Sequence, residues 1–274
     1  MKKWKLPVMA MIGAQVFVTA CNNDANTGNK TQPDSTATPV AAYDTNFNVE
    51  AEAFADIQML RYQVPGWDGL SLQQKQLSYY LYEAALCGRD IIYDQKSKYG
   101  ILLRKTLETV YTTYNGNKDS ADWKKFEEYC GRFWFSNGNH HHYSNEKFLP
   151  ECKYEYFAEL VKNSDQSLLP KEQGETVEAF LTRIKPLIYD PKVEPKVVDL
   201  RPNVDNVVNS SNNFYEGVTQ KEVEAFYSKF DTKGNAPSWG LNSKLMKENG
   251  QIVEKTWKVG GMYSASIEKI VGWL

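Results

Sequence analysis

Ser243-Lys-Leu-Met-Lys-Glu-Asn-Gly-Gln-Ile-Val-Glu-Lys-Thr-Trp-Lys-Val259 decides the fold class. Two runs, Ser243 to Met246 and Gln251 to Val259, flank Glu248-Asn249-Gly250. Asn-Gly supplies the two left-handed backbone positions that a tight hairpin turn requires. Before this stretch the apolar residues recur mostly at helical spacing; within it the period shortens to that of strands. Helices followed by a hairpin predict an α+β fold, mostly helical at first and ending in a hairpin or small β-barrel portion.

Working back from the hairpin, Thr219-Gln220-Lys221-Glu222 is a capping box, with Val218 and Val223 spaced for a hydrophobic staple. The helix it opens is expected to bury Val223, Phe226, Tyr227 and Phe230. Asp190 to Pro202 is punctuated by prolines, with Val197-Val198-Asp199-Leu200 as a candidate strand. Val177, Phe180, Leu181, Ile184, Leu187 and Ile188 make one clear helical stripe, and Tyr156, Phe157, Leu160 and Val161 another. Ser120 is placed to cap a helix burying Trp123, Phe126, Cys130, Phe133 and Trp134. Leu103, Leu107, Val110, Tyr111 and Tyr114 form the stripe before it, ended by Asn115-Gly116-Asn117. Ser71-Leu72-Gln73-Gln74 is a second capping box, opening a helix with Leu77, Leu81, Ala84 and Gly88 on one side. Asp56 to Val64 reads as a strand running into Pro65-Gly66. Working forward, Tyr263 to Leu274 carries Ile267, Ile270, Val271 and Leu274 at helical spacing, stops without a polar cap, and predicts a domain that continues past Leu274.

The first residues read as targeting sequence. Lys2, Lys3 and Lys5 precede an apolar run, Leu6 to Phe17, that is too short to span a bilayer. Val18-Thr19-Ala20-Cys21 resembles a bacterial lipobox, which makes residues 1–20 a signal peptide and Cys21 the lipidation site. Residues 21–45 are dominated by Asn, Thr, Ser, Asp and Ala, too polar to offset their ordering entropy, and read as a tether. The expected location is therefore a membrane-anchored lipoprotein, periplasmic or on the outer membrane and cell surface, with the bilayer as partner through acylated Cys21. Residues 46–274 form the globular part. Cys87, Cys130 and Cys152 are odd in number and lack a CxxC spacing, so they read as buried small hydrophobes. A formal net charge of −2 gives no overall field that attracts nucleic acid.

All three histidines, His140, His141 and His142, lie in Phe133 to Pro150, a segment dense in aromatics and asparagine. None precedes a Glu, so the paired-histidine zinc helix is missing. His140 with His142, completed by Glu146 or Cys152, would form a metal site; the preferred reading is a polar, partly exposed loop tip. No Gly-x-Ser-x-Gly elbow, catalytic-cysteine signature or phosphate loop is present, and no catalytic residue is assigned. Lys124-Lys125 and Glu127-Glu128 read as a solvated helix face.

The segment Phe133-Trp-Phe-Ser-Asn-Gly-Asn139 with Lys147-Phe-Leu-Pro150 resembles the dipeptidyl peptidase III family of zinc peptidases, most closely its bacterial members. Arg61-Tyr-Gln-Val-Pro-Gly-Trp67, Leu77 to Asp94, Phe214 to Thr219 and Leu241 to Val259 are similar to further segments of that family in the same order, covering about Phe54 to Leu274. The resemblance implies the N-terminal part of the family's lower, β-barrel-containing lobe, without the His-Glu-x-x-Gly-His motif of the zinc lobe. Zinc would belong to the complete enzyme, which releases dipeptides from the N-terminus of short peptides; this chain alone is expected to bind no metal and to be inactive. Tyr143 matches a family aromatic lining the substrate cleft. Asn137, Asn139 and Asn145 match or neighbour the motif, either as hydrogen-bond partners of a peptide or as suppliers of left-handed turns. Two other readings stand beside it: a complete, non-catalytic lipoprotein that binds peptides or glycans, and a remnant that does not fold stably.

Overall fold

The structure is a computed structural model that describes residues 43–230 and 242–274. In chain order it contains β1 (Glu50–Phe54), β2 (Ile57–Leu60), α1 (Leu72–Cys87), α2 (Arg89–Lys96), α3 (Gly100–Thr113), α4 (Ala121–Ser136), α5 (Tyr154–Lys162) and α6 (Val177–Tyr189). These are followed by α7 (Asn206–Asn209), β3 (Tyr215–Glu216), α8 (Gln220–Tyr227), β4 (Ser243–Glu248), β5 (Gln251–Thr256) and α9 (Ser264–Trp273). The fold is α+β. The signal peptide, Cys21 and almost all of the tether lie outside the described residues. No helix among the described residues is long and apolar enough to cross a membrane.

The principal core belongs to α3, α4, α5 and α6. Their stripes meet as expected: Leu103, Leu107 and Val110 face Trp123, Phe126 and Phe133, with Phe157, Leu160, Phe180 and Ile184 closing the other side. Ring packing fixes the order, Trp123 lying nearly parallel to Tyr114 at 5.3 Å and Phe133 stacked on Tyr93 of α2 at 5.8 Å. Ser120 caps α4 by accepting from the Trp123 amide. Gly100 permits the sharp α2–α3 turn, because a Cβ there would stand 2.1 Å from the Tyr93 carbonyl oxygen. Cys130 and Cys152 are free and buried, as read from their isolation in sequence; Cys87 is free and partly exposed.

The hairpin forms with Glu248 opposite Gln251, and Asn249 and Gly250 take φ values of 48° and 78°. β3 adds to β4 in parallel, giving a three-stranded sheet in the order β3-β4-β5, while β1 and β2 pair by themselves. Among the described residues these are two small open sheets, and they close no barrel. Val218 and Val223 bury against Leu245, which is the staple expected at the Thr219 cap. Lys244, buried on β4, ties the sheet to the helices. It donates to Asn213 Oδ1 at 2.7 Å and pairs with Glu216, and Asn213 in turn donates to Asp94 of α2.

Four expectations are corrected. The helix opened at Ser71, expected to carry Gly88 on its apolar side, ends at Cys87, and Gly88 separates it from α2. On α1 only Ala84 is buried; Leu77 and Leu81 stand exposed although α1 packs against α9. Val197 to Leu200 forms no strand. Asp199 accepts from its own neighbour Arg201 at 2.6 Å, and the only isolated bridge nearby among the described residues is that of Lys196, just before the segment, with Glu146. α8 ends at Tyr227, leaving Phe226 and Tyr227 half-buried and Phe230 about half exposed. β1 carried no alternation strong enough to be expected; it exists because β2 pairs with it.

Candidate functional site

The His/Asn loop leaves α4 through Asn137, whose left-handed backbone (φ 52°, ψ 47°) is the helix's C-cap. Gly138 follows at φ 143°, a value that side chains rarely adopt. The chain then doubles back. His141 donates from its amide to the Glu146 carbonyl at 2.8 Å, and Asn145, at φ 59°, donates to the His141 carbonyl at 3.0 Å. Asn137 and Asn145 therefore serve the left-handed turns, and both are half-buried.

Asn139 is 5% exposed and belongs to the support of the loop. Its Oδ1 accepts from the Tyr129 hydroxyl at 2.7 Å and its Nδ2 donates to the Leu187 carbonyl at 3.0 Å, so the amide is occupied at both ends and is not offered to a ligand. Lys147 anchors the returning strand. Its Nζ donates to the carbonyls of Asp190 and Val193, each at 2.8 Å, and burial pushes its pKa down to about 8.

His140 corrects the reading of all three histidines as a polar tip. It is 1% exposed, and its Nε2 donates to the Glu194 carbonyl at 2.7 Å. The second ring nitrogen is buried with no partner. A proton there would lack an acceptor, and Lys96 and Lys147 lie near, so burial first and their charge second drive the pKa down to about 4. His141 differs: its Nδ1 accepts from the amides of Tyr143 and Ser144 at 3.2 Å, closing the tip. Its Nε2 lies 3.7 Å from Asp56 in the β1–β2 turn, which Arg132 of α4 also pairs at 2.7 Å.

Tyr143 stands at the tip, 83% exposed. Its ring lies 4.5 Å from His142, which stacks on His141 at 4.4 Å and meets Phe135 edge-on at 4.9 Å. The outcome is a ladder of flat rings resting on the end of α4. Phe135 also lines a groove of about 520 Å³ between the β1–β2 hairpin and α4, shared with Glu127 and Glu128. The sequence had placed those two carboxylates on a solvated helix face, and only the packing of the hairpin on α4 reveals the groove.

A zinc ion does not fit these residues. Among the described residues no three His, Cys, Asp or Glu side chains come together as ligands. His140 and Cys152 are turned to other partners, Cys152 lying 3.6 Å from the Tyr189 hydroxyl. No family model and no curated protein matches the chain.

Proposed function

We propose that this chain is the peptide-holding N-terminal lobe of a zinc-dependent dipeptidyl peptidase resembling dipeptidyl peptidase III, tethered to a membrane through Cys21. The observation that carries the proposal is the presentation of Tyr143: a fully outward aromatic on a loop whose base, Asn139, His140 and Lys147, is locked into the core. A rigid base with an exposed aromatic is the arrangement that lets a ring contact substrate without an ordering cost at binding. The collinear family segments from Arg61 to Val259 support the same reading.

A second support is the surface of α1 and α9. Leu77, Tyr79, Leu81 and Tyr82 on α1 and Val271 on α9 are each half or more exposed. Exposed large apolar side chains on two packed helices are what a docking surface presents, and in this reading the zinc lobe covers them. Zinc and the hydrolytic step belong to that lobe. The residues of this chain hold the peptide and shield it from water.

The test is a titration of the full chain with short peptides bearing a free N-terminus, followed by NMR. Shifts at residues 137–147 that are lost in Tyr143→Ala support the proposal; peptide binding that leaves those resonances unmoved overturns it. With excess zinc and a dipeptidyl-naphthylamide the chain alone is expected to show no turnover. Coding sequence after Leu274 that contains His-Glu-x-x-Gly-His favours the peptidase lobe, and a stop followed by intergenic sequence favours a non-catalytic binder.

A further inference from the structure

The groove beneath the β1–β2 hairpin has a composition that a packing defect does not explain. Gly131 makes it possible. A Cβ at that position would stand 2.8 Å from the Phe54 ring, so the glycine lets the hairpin settle directly onto α4. Phe54, Tyr111, Trp134 and Phe135 supply aromatic walls, Tyr111 meeting Trp134 edge-on at 5.1 Å.

The rim is acidic. Glu52, Glu127 and Glu128 face one cation, Lys124. Glu127 is held by Lys124 at 3.0 Å and by the Tyr111 hydroxyl at 3.2 Å, and Glu128 by Arg132 at 3.1 Å. Glu52 makes no hydrogen bond or ion pair from its side chain among the described residues. Burial, and after it the charges of Glu127 and Glu52, raise the Tyr111 pKa, so the groove lies in a negative field. The Trp134 Nε1 is a buried donor with no acceptor.

We propose that this groove binds a primary ammonium ion carried on an apolar body, the cation beside Glu52 and the body between the aromatic walls. The aromatic faces favour a cation a second time, through the ring quadrupole. The site is separate from Tyr143 and does not rest on the peptidase reading. A free arylalkylamine and the N-terminal residue of a peptide share this chemistry.

The experiment labels the full chain with nitrogen-15 and follows the Trp134 indole resonance, identified among seven tryptophans by its loss in Trp134→Phe. Phenethylamine, phenylalanyl-alanine amide and its N-acetylated form are titrated in turn. Saturable movement of that resonance with either amine, and not with the acetylated compound, supports the proposal and names the source. Glu52→Gln is expected to weaken binding about tenfold. Glu52 is exposed and unpaired, so this variant folds as the parent does. Tyr143→Ala is expected to leave groove binding unchanged, which separates this site from the peptide loop. Equal binding of the acetylated compound, no movement with either amine, or indifference to Glu52→Gln overturns the proposal.

Discussion

α1 and α6 carry the same kind of pattern and meet opposite fates. Each has leucine or isoleucine at helical spacing, yet α6 buries Val177, Phe180, Leu181, Ile184, Leu187 and Ile188, whereas α1 buries Ala84 alone. The difference lies in what surrounds them. α6 shares one core with α3, α4 and α5, and Phe157 of α5 packs against its Tyr189 at 6.0 Å. α1 has α9 on one side, with Trp273 against Tyr79 and Tyr80 at 6.2 Å, and the rest of its apolar surface faces outward. Helical periodicity states which face prefers burial, and says nothing of what will cover it.

The largest effect that sharpens this contrast is in the core. Phe180→Ala removes a fully buried ring and is expected to cost about 3–5 kcal/mol, read as a lowered midpoint in chemical denaturation. A loss below about 1 kcal/mol would show that α6 is no better packed than α1, and the comparison would fail.

Next comes His140, where the loop joins that core. The ring has a lower pKa folded, about 4, than its ordinary 6.5. Between those values the unfolded chain binds the extra proton, so stability is complete above pH 6.5 and falls as pH drops toward 4. The loss is about 3 kcal/mol at most. Carboxylates titrate over part of the same range, Glu175 and Glu222 being held near 2 by Arg183 and Lys247, so the informative quantity is the difference between the parent and His140→Gln. The parent is expected to lose more stability than the variant from pH 6.5 to 4. Parallel curves would place His140 in solvent and undo the account of the loop's base.

How much of this was visible in the chain follows from range. The capping boxes at Ser71 and Thr219, the Ser120 cap and the Asn249-Gly250 turn depend on residues at most four apart, and all were legible. The α3 to α6 stripes were legible because their burial needed no particular partner beyond one another. His140 was not, since its partner is a carbonyl 54 residues away. Nothing near Asn139 announces that Tyr129 and Leu187 will claim both ends of its amide. The groove behind Phe135 depends on Gly131 accepting Phe54, a contact across more than seventy residues that only the folded chain displays.

A local feature should give a local effect. Thr219→Ala deletes the hydroxyl that accepts from the Glu222 amide and breaks the reciprocal capping pair. The expected cost is about 1 kcal/mol, because the Val218–Val223 staple still fixes the entry of α8. Amide exchange confined to residues 219–227 would show that the loss is local, and exchange spreading to α6 would show the two cores to be one cooperative unit.

The smallest expected change tests the comparison most directly. Leu77 is 58% exposed, so Leu77→Gln removes apolar surface that the described residues do not cover. Its stability effect should lie within about 0.5 kcal/mol. Dye binding to exposed apolar surface should fall at the same time, because the substitution removes an exposed leucine next to exposed Leu81 on the same helix face. A silent change in stability with reduced dye binding leaves the α1 stripe available for a contact outside this fold. A cost of about 2 kcal/mol or more would mean that the stripe is packed within the chain, and the exposed face would then offer no support for a docked second lobe.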